Sequence, residues 1–122
     1  MKNNNDNLEP IDITEKTIIY SVGEKENGVS YNYVIKKLNN DGDVKGYQEI
    51  HFERNDDHVD IDGIHNEDLL KVVLDRLYSY QNGDLSSKQV DITITKLEEA
   101  LMWMNKRTED RIKRGVKGFY LK

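Results

Sequence analysis

The sequence predicts an α+β fold, in which an N-terminal antiparallel β-sheet of three or four strands precedes a hairpin of two long helices. The first half of the chain alternates segments rich in β-branched and aromatic residues with turns rich in Asn and Gly. In the second half, apolar residues recur at spacings of three and four, which is the period of a helix. At 122 residues, the chain has room for one domain with one core.

We therefore divide residues 1–122 into three parts of a single domain. Residues 1–13 lack periodicity and contain the only proline, so they are predicted to form a flexible arm. Residues 14–62 are predicted to form the sheet, and residues 63–118 the helical hairpin. Within the sheet, strands are expected at 17–22, 31–38 and 47–54, with a short fourth strand at 58–61.

Both helices carry start and stop signals. Asn66 is predicted to cap the first helix, which ends at the turn formed by residues 82 and 83. For the second helix, Ser86 and Gln89 fit a capping box, and Gly115 fits a C-terminal cap, so this helix is predicted from about residue 87 to residue 114. The apolar positions of the first helix are Leu70, Val73, Leu74 and Leu77, and those of the second are Val90, Ile94, Leu97, Leu101, Met104, Thr108 and Arg111.

The length of the second helix favours assembly. At 1.5 Å per residue this helix is about 42 Å long, which exceeds the diameter of a small domain, about 30 Å. We expect a second copy of the chain to cover the apolar positions that project beyond the sheet, so a homo-oligomer is predicted.

Composition excludes several classes of protein. The chain contains no cysteine, so disulfides and Cys-based metal or nucleophilic sites are excluded, and a reducing cytoplasm is the natural compartment. No run of about 18 apolar residues occurs, so no membrane segment is predicted. The net charge is −5, yet residues 106–122 carry seven basic and two acidic side chains, or +5, which leaves −10 on residues 1–105. An acidic body repels a long DNA backbone, so a small anion suits the basic end better.

Three arginines at the basic end are the first candidate site. Arg107, Arg111 and Arg114 are four and three residues apart, so they share one face of a helix. Guanidinium groups match phosphate oxygens in a bidentate geometry, and two neighbouring groups suit a pyrophosphate. The alternative is an ordinary helix surface in which Asp110 pairs with Arg107 and Arg114, and Glu109 pairs with Lys113.

Aromatic residues near the helical turn are the second candidate. Tyr80, beside Tyr78 at the end of the first helix, offers a flat face on which a nucleobase can stack. The alternative is that both tyrosines, together with Trp103, cover the core of the hairpin.

Neither a metal site nor a catalytic motif is predicted. The acidic loop at 56–63 places His58 and Leu69 where a calcium loop requires oxygen ligands, so calcium is rejected. The three histidines, His51, His58 and His65, lack the spacing of a metal-binding or catalytic motif, and no phosphate-binding glycine loop occurs. We expect no cofactor and no enzyme activity, although a His-dependent hydrolase stays open.

The second half of the chain resembles the Thoeris anti-defence proteins of the first type, a family encoded by phages. The motifs that carry the resemblance lie between residues 63 and 118, and they include Trp103. In chain order they are GIHNEDLL at 63–70, DRL at 75–77, YQNG at 80–83, TKLEEAL at 95–101, KRTEDR at 106–111 and RGVKG at 114–118.

The resemblance implies a binding protein that sequesters its ligand. Proteins of that family hold the cyclic ADP-ribose isomer that a TIR-domain enzyme makes during anti-phage signalling, without cleaving it, so the Thoeris effector lacks its activator. They consist of a β-sheet and two long helices, and they form homo-oligomers with the ligand at the junction between subunits. Some also bind cyclic di- or trinucleotides at separate sites. The implied location is the cytoplasm of the host bacterium.

The resemblance also implies roles for individual residues. Tyr80, where the family more often has Phe, would stack on adenine, while Arg107 and Arg111 would hold the pyrophosphate with Arg114 nearby. The family's Arg-Glu-Asn sequence in the turn is replaced here by residues 88–90, Lys-Gln-Val, so the polar contact expected near position 90 is missing. Asp91 and Lys88 are the candidates to replace it.

Two alternative functions remain after this comparison of motifs. One is a small nucleic-acid-binding regulator that uses the basic end of the second helix. The other is a phosphodiesterase that uses one of the histidines as a general base.

Overall fold

A computed structural model describes residues 8–54 and 63–115 of the chain. In these residues a four-stranded sheet precedes two helices, which confirms the predicted α+β class. Contacts divide the chain into two compact units, the sheet and the helical hairpin. The elements are β1 (Leu8–Ile13), β2 (Thr17–Val22), β3 (Asn32–Leu38), β4 (Val44–His51), α1 (Asn66–Gln81) and α2 (Lys88–Lys113).

The sheet is an antiparallel meander in the order β1-β2-β3-β4. The β2–β3 turn contains Asn27 and Gly28, which both adopt positive φ, as the turn signals predict. Antiparallel pairing joins β1 to β2, β2 to β3 and β3 to β4, so every strand contacts its neighbour in sequence. The predicted meander is therefore correct for β2, β3 and β4.

The strand predicted at 47–54 is β4, and it lies three residues earlier in the chain than predicted. The Asn39 side-chain oxygen accepts hydrogen bonds from the backbone N–H groups of Asp41 and Asp43, both at 2.9 Å, and this tightens the turn. Val44 can then pair with Leu38 across a register shift, so β4 starts directly after the turn. The shift is a local bulge, which the strand pattern of the sequence does not reveal.

The predicted flexible arm at residues 1–13 is wrong for its second half. Residues 8–13 form β1, which pairs antiparallel with β2. Pro10 is compatible with this position because β1 is an edge strand and because the register shifts between Pro10 and Asp12. Residues 1–7 and the short strand predicted at 58–61 lie outside the described residues.

The first helix is capped one residue earlier than predicted. His65 is the N-cap, and Asn66 is the first helical residue. The Asp68 carboxylate accepts a hydrogen bond from the His65 backbone N–H at 2.8 Å, which satisfies a group that the helix leaves unpaired. That hydrogen bond is the largest cause of the lowered pKa of Asp68.

The capping box predicted for the second helix, Ser86 with Gln89, is wrong, and the cap lies one residue later. The N-cap is Ser87, whose side-chain oxygen accepts from the Val90 N–H at 3.1 Å. The Ser87 N–H is satisfied by the side-chain oxygen of Gln81, at 3.0 Å, instead of by Gln89. The end of the helix is as predicted, because Gly115 follows it with φ of 70°.

The two helices pack along the predicted apolar seam. Leu74 and Ile94 are buried at its centre, with 5% and 8% exposure, and all seven predicted seam positions of α2 are buried or half-buried. The seam packs against α1 of the same chain, so its burial does not by itself require a second copy, and the homo-oligomer stays a prediction. The prediction that Val73 is a seam position of α1 is wrong, because Val73 is 44% exposed. The other large apolar side chains that stay exposed on the hairpin lie off the seam, and they include Val72, Ile92, Met102 and Trp103.

Candidate functional site

The last turns of α2 carry a cluster of three cations. Arg111 is buried, with 4% exposure, whereas Arg107 and Arg114 are exposed. Burial lowers the pKa of Arg111 from its ordinary value, and the positive charges of Arg107 and Arg114 lower it further. Since an anion beside the three groups would offset both effects, this end of the helix is electrostatically suited to one.

In the part of the chain that the structure describes, the ion pair between Asp110 and Arg107 that was the alternative does not form. Asp110 pairs with Lys106, with the Oδ1 and Nζ atoms 3.5 Å apart. In residues 8–54 and 63–115, Arg107 forms no ion pair, and its exposed guanidinium is accessible to a ligand.

Tyr80 lies half-buried at the end of α1 and contacts Arg76, which is not among the predicted site residues. Arg76, one helical turn earlier, donates a hydrogen bond from Nη2 to the Tyr80 hydroxyl oxygen at 3.2 Å. Its guanidinium lies 5.8 Å from the centre of the Tyr80 ring. The spacing of four residues between an arginine and an aromatic residue is the signal that could have identified Arg76.

The neighbouring Tyr78 faces another side of the hairpin. Its hydroxyl donates to the Glu98 carboxylate across the two helices at 2.6 Å, and this hydrogen bond is the largest cause of the raised pKa of Tyr78. Both residues line an open cleft of about 490 Å³. The cleft lies within the hairpin and is lined by Leu74, Tyr78, Glu98, Leu101, Met102, Asn105, Lys106 and Glu109.

Tyr80 and the arginine cluster share the face of the hairpin that is opposite this cleft. At about 100° per residue, Tyr78 and Glu98 lie about 40° from the buried positions of their helices, on the cleft side. Rotation away from the cleft side places Tyr80 about 120° from Leu74 on α1. The same direction of rotation places Arg107 about 140° from Ile94 on α2. We call this second surface the arginine face, defined by Tyr80, Arg107 and Arg111.

Tyr80 and the arginines lie far apart along the arginine face of one chain. The Tyr78–Glu98 hydrogen bond and the 3.4 Å hydrogen bond from Thr108 to Glu67 fix the register of the hairpin. Tyr80 is therefore level with a position near residue 96 of α2. The axial distance from there is about 17 Å to Arg107 and about 23 Å to Arg111, at 1.5 Å per residue.

The two candidates for the missing polar contact lie away from Tyr80. Lys88 and Asp91 are exposed in the first turn of α2. Measured from Ile94, they lie about 120° and 60° round the helix on the cleft side. The structure thus brings Arg107, Arg111 and Arg114 together, leaves Tyr80 at the other end of the same face, and separates Lys88 and Asp91 from that face.

The alternative in which Trp103 covers the core is wrong, because its side chain is 67% exposed. The two described histidines have local roles in different units. His51 Nδ1 hydrogen-bonds Asn32 Oδ1 at 2.8 Å on the sheet, His65 caps α1, and His58 lies outside the described residues. Within residues 8–54 and 63–115, no group of three or more His, Cys, Asp or Glu side chains is placed to hold a metal ion. Over the same ranges, neither helix has the length and apolar content that crossing a membrane requires.

The structure is a hairpin of two helices with a cluster of arginines at one end and an aromatic residue at the other. Comparison with known families finds a family of helical hairpins. Residues 42–109 match the family described as Acb2/Tad1, hairpin domain, and the chain belongs to that family. Among curated proteins, Thoeris anti-defense 1 of Bacillus phage SBSphiJ7 is 50% identical over 60 residues, which is 49% of this chain. The match covers 42% of that relative's length. The family resemblance predicted from the motifs is confirmed.

Proposed function

We propose that this protein counters Thoeris defence by capturing a cyclic ADP-ribose isomer made by a TIR-domain enzyme and holding it uncleaved. The observation that carries the proposal is the buried Arg111, flanked by Arg107 and Arg114, on the same hairpin face as Tyr80. The family match and the similarity to a protein named Thoeris anti-defense 1 support the biological role. The place of action would be the cytoplasm of the infected bacterium.

The chemistry of the arginine face fits a nucleotide with two phosphates. Arg107 and Arg111, one helical turn apart, can each present a planar fork of N–H donors to a different phosphate. Tyr80 supplies a face for the adenine, and stacking on an aromatic ring contributes about 1–3 kcal/mol per base. A protein that starves an effector must bind below micromolar concentration, which corresponds to more than about 8.2 kcal/mol of binding free energy.

The separation of Tyr80 from the arginines favours a site made by two copies of the chain. Val73, which is exposed, and the half-buried Ala100 and Met104 lie between the two ends of the arginine face. A twofold axis through this apolar centre would place Tyr80 of one copy beside Arg107 and Arg111 of a second copy. Such a pairing is self-complementary, as closed dimers require. We therefore propose a homo-oligomer in which the ligand binds between subunits.

A capture and release experiment tests the function. The protein is mixed with the product of a TIR-domain enzyme, separated from free small molecules and then heated, and the released compound is identified by mass. We expect intact ligand at about one molecule per chain, since each copy contributes one aromatic end and one arginine end. Absence of bound ligand would overturn the proposal.

Matched variants locate the site. Arg107→Met and Arg111→Met, made separately, are each expected to reduce capture strongly, because a guanidinium–phosphate pair is lost. The control is the double variant Lys106→Met, Lys113→Met, which removes two positive charges from the cleft side of the same helix. Equal loss of capture in the control and in the arginine variants would show that net charge, and not the arginine face, binds the ligand.

The same experiment separates the alternatives. A phosphodiesterase would release a hydrolysed product and would act at substoichiometric protein. A nucleic-acid-binding regulator would instead bind duplex DNA with an affinity that falls steeply with salt. Adding cyclic di- and trinucleotides as competitors determines whether they displace the captured ligand or bind elsewhere.

A further inference from the structure

Arg76 and Tyr80 form a polar pair at the aromatic end of the arginine face. The Arg76 Nη2 group donates to the Tyr80 hydroxyl oxygen at 3.2 Å, and the guanidinium lies 5.8 Å from the ring centre. Both side chains project from the same side of α1, because they are separated by one helical turn. Arg76 is exposed and Tyr80 is half-buried, so the pair lies at the surface of the hairpin.

The direction of this hydrogen bond determines what Tyr80 can offer to a ligand. A guanidinium can only donate, so the phenol oxygen acts as the acceptor in the pair. The phenol proton is then directed away from Arg76 and can be donated to another group. A tyrosine held in this way presents both a stacking face and a hydrogen-bond donor of fixed direction.

We propose that Arg76 is a positioning residue that orients Tyr80, so that the phenol both stacks on the base and donates a hydrogen bond to an acceptor atom of the bound nucleotide. The proposal rests on the proposed function, because it assigns Tyr80 to the nucleotide site. It makes Arg76 and Tyr80 together a determinant of specificity, since a ligand without an acceptor at that point leaves the donor unsatisfied.

A double-mutant cycle on the intact chain tests the pair. The probe is the purified cyclic ADP-ribose isomer made by a TIR-domain enzyme, and its dissociation constant is measured by titration calorimetry. Tyr80→Phe keeps the ring but removes the hydroxyl, and Arg76→Met keeps the alkyl stem but removes the donor. Each variant is expected to weaken binding about 5- to 10-fold, which is typical of one lost hydrogen bond. The double variant is expected to lose little more than either single variant, because the two residues act as one unit.

Two further variants distinguish positioning from a general structural role. Arg76→Lys retains a donor that can reach the phenol oxygen, so it should recover part of the affinity that Arg76→Met loses. Ser79→Ala removes a hydroxyl that donates to the Asp75 carbonyl within α1, at 3.2 Å, and it should leave the affinity unchanged. Thermal unfolding of the ligand-free variants should stay close to that of the unmodified chain, since both contacts of the pair are at the surface.

The outcomes separate this inference from the proposed function. If the unmodified chain binds the probe and the Arg107→Met variant does not, but Tyr80→Phe binds as tightly as the unmodified chain, the inference is overturned and the proposed function stands. Additive losses in the double variant would likewise refute a shared action of Arg76 and Tyr80. If the unmodified chain fails to bind the probe, both proposals are overturned.

Discussion

Ser87 and Ser86 provide a paired test of how α2 begins. Ser87→Ala removes the side-chain oxygen that accepts the Val90 N–H at 3.1 Å, and leaves that backbone group without its cap. Loss of a serine N-cap typically costs about 1 kcal/mol of the free energy of unfolding. For a chain of this length, that corresponds to a melting temperature about 3–5 °C lower.

Ser86→Ala is the matched control. Ser86 contacts the turn through its backbone N–H, which donates to the Gly83 carbonyl at 3.3 Å and is retained in alanine. We expect its effect to lie within about 0.5 kcal/mol, as is usual for an exposed position. Ser87→Asp keeps an acceptor and adds negative charge at the helix N-terminus, so its stability should equal or exceed that of the unmodified chain.

The assay is urea unfolding followed by circular dichroism, with every variant at the same protein concentration because assembly affects apparent stability. The reasoning is refuted if Ser86→Ala destabilises the chain as much as Ser87→Ala does. That result would restore Ser86 as the cap, as the sequence motif predicts.

Four other outcomes follow from the hairpin. Leu74→Ala should lower the free energy of unfolding, measured in urea, by about 2–3 kcal/mol. This is the lower part of the range for a buried leucine, because the cleft already opens beside Leu74. The hydrogen bond to Glu98 raises the pKa of Tyr78. The protonated phenol therefore stabilises the fold below pH 10, and this contribution is lost as the pH rises through the folded-state pKa. The difference in unfolding midpoint between the unmodified chain and Tyr78→Phe should shrink in strong alkali. Val73→Glu should dissociate the proposed dimer, as sedimentation velocity would show, because it places a charge at the apolar centre of the arginine face. Ligand at 100 times its dissociation constant should stabilise the unmodified chain by about 2.7 kcal/mol, and Arg107→Met should show much less stabilisation at the same concentration in thermal unfolding.

The sequence predicts the elements of the hairpin well because its apolar spacing is regular. The seam from Val90 to Arg111 is buried or half-buried at each predicted position, although residues 91–95 also alternate like a strand. The seam from Val90 to Arg111 favours a helix over a strand, because a spacing of three and four maintained over six turns is incompatible with a strand. Helix ends are less predictable, because the cap at Ser87 depends on Gln81, a side chain from the preceding helix.

The first strand shows a different limit. Residues 8–13 have little apolar periodicity and include Pro10, so local pattern favours an arm. Their strand conformation comes from pairing with β2 across the chain, which a single segment does not encode.

The candidate site was predictable in its parts and not in its arrangement. Spacing alone places Arg107, Arg111 and Arg114 on one face of α2, and the structure agrees. The position of Tyr80 relative to them depends on the register between α1 and α2, which the Tyr78–Glu98 contact fixes. The sequence contains both residues of that contact but does not indicate that they meet.

The placement of Tyr80 and the arginines at opposite ends of one face allows complementation between defective chains. In the proposed twofold pair, a chain with Tyr80→Ala still supplies its guanidinium groups, and a chain with Arg107→Met and Arg111→Met still supplies its aromatic ring. A mixed pair would contain one wholly intact pocket and one that lacks both halves. Unfolding and refolding the two inactive variants together should therefore restore about a quarter of the normal ligand capacity, whereas either variant refolded alone should restore none.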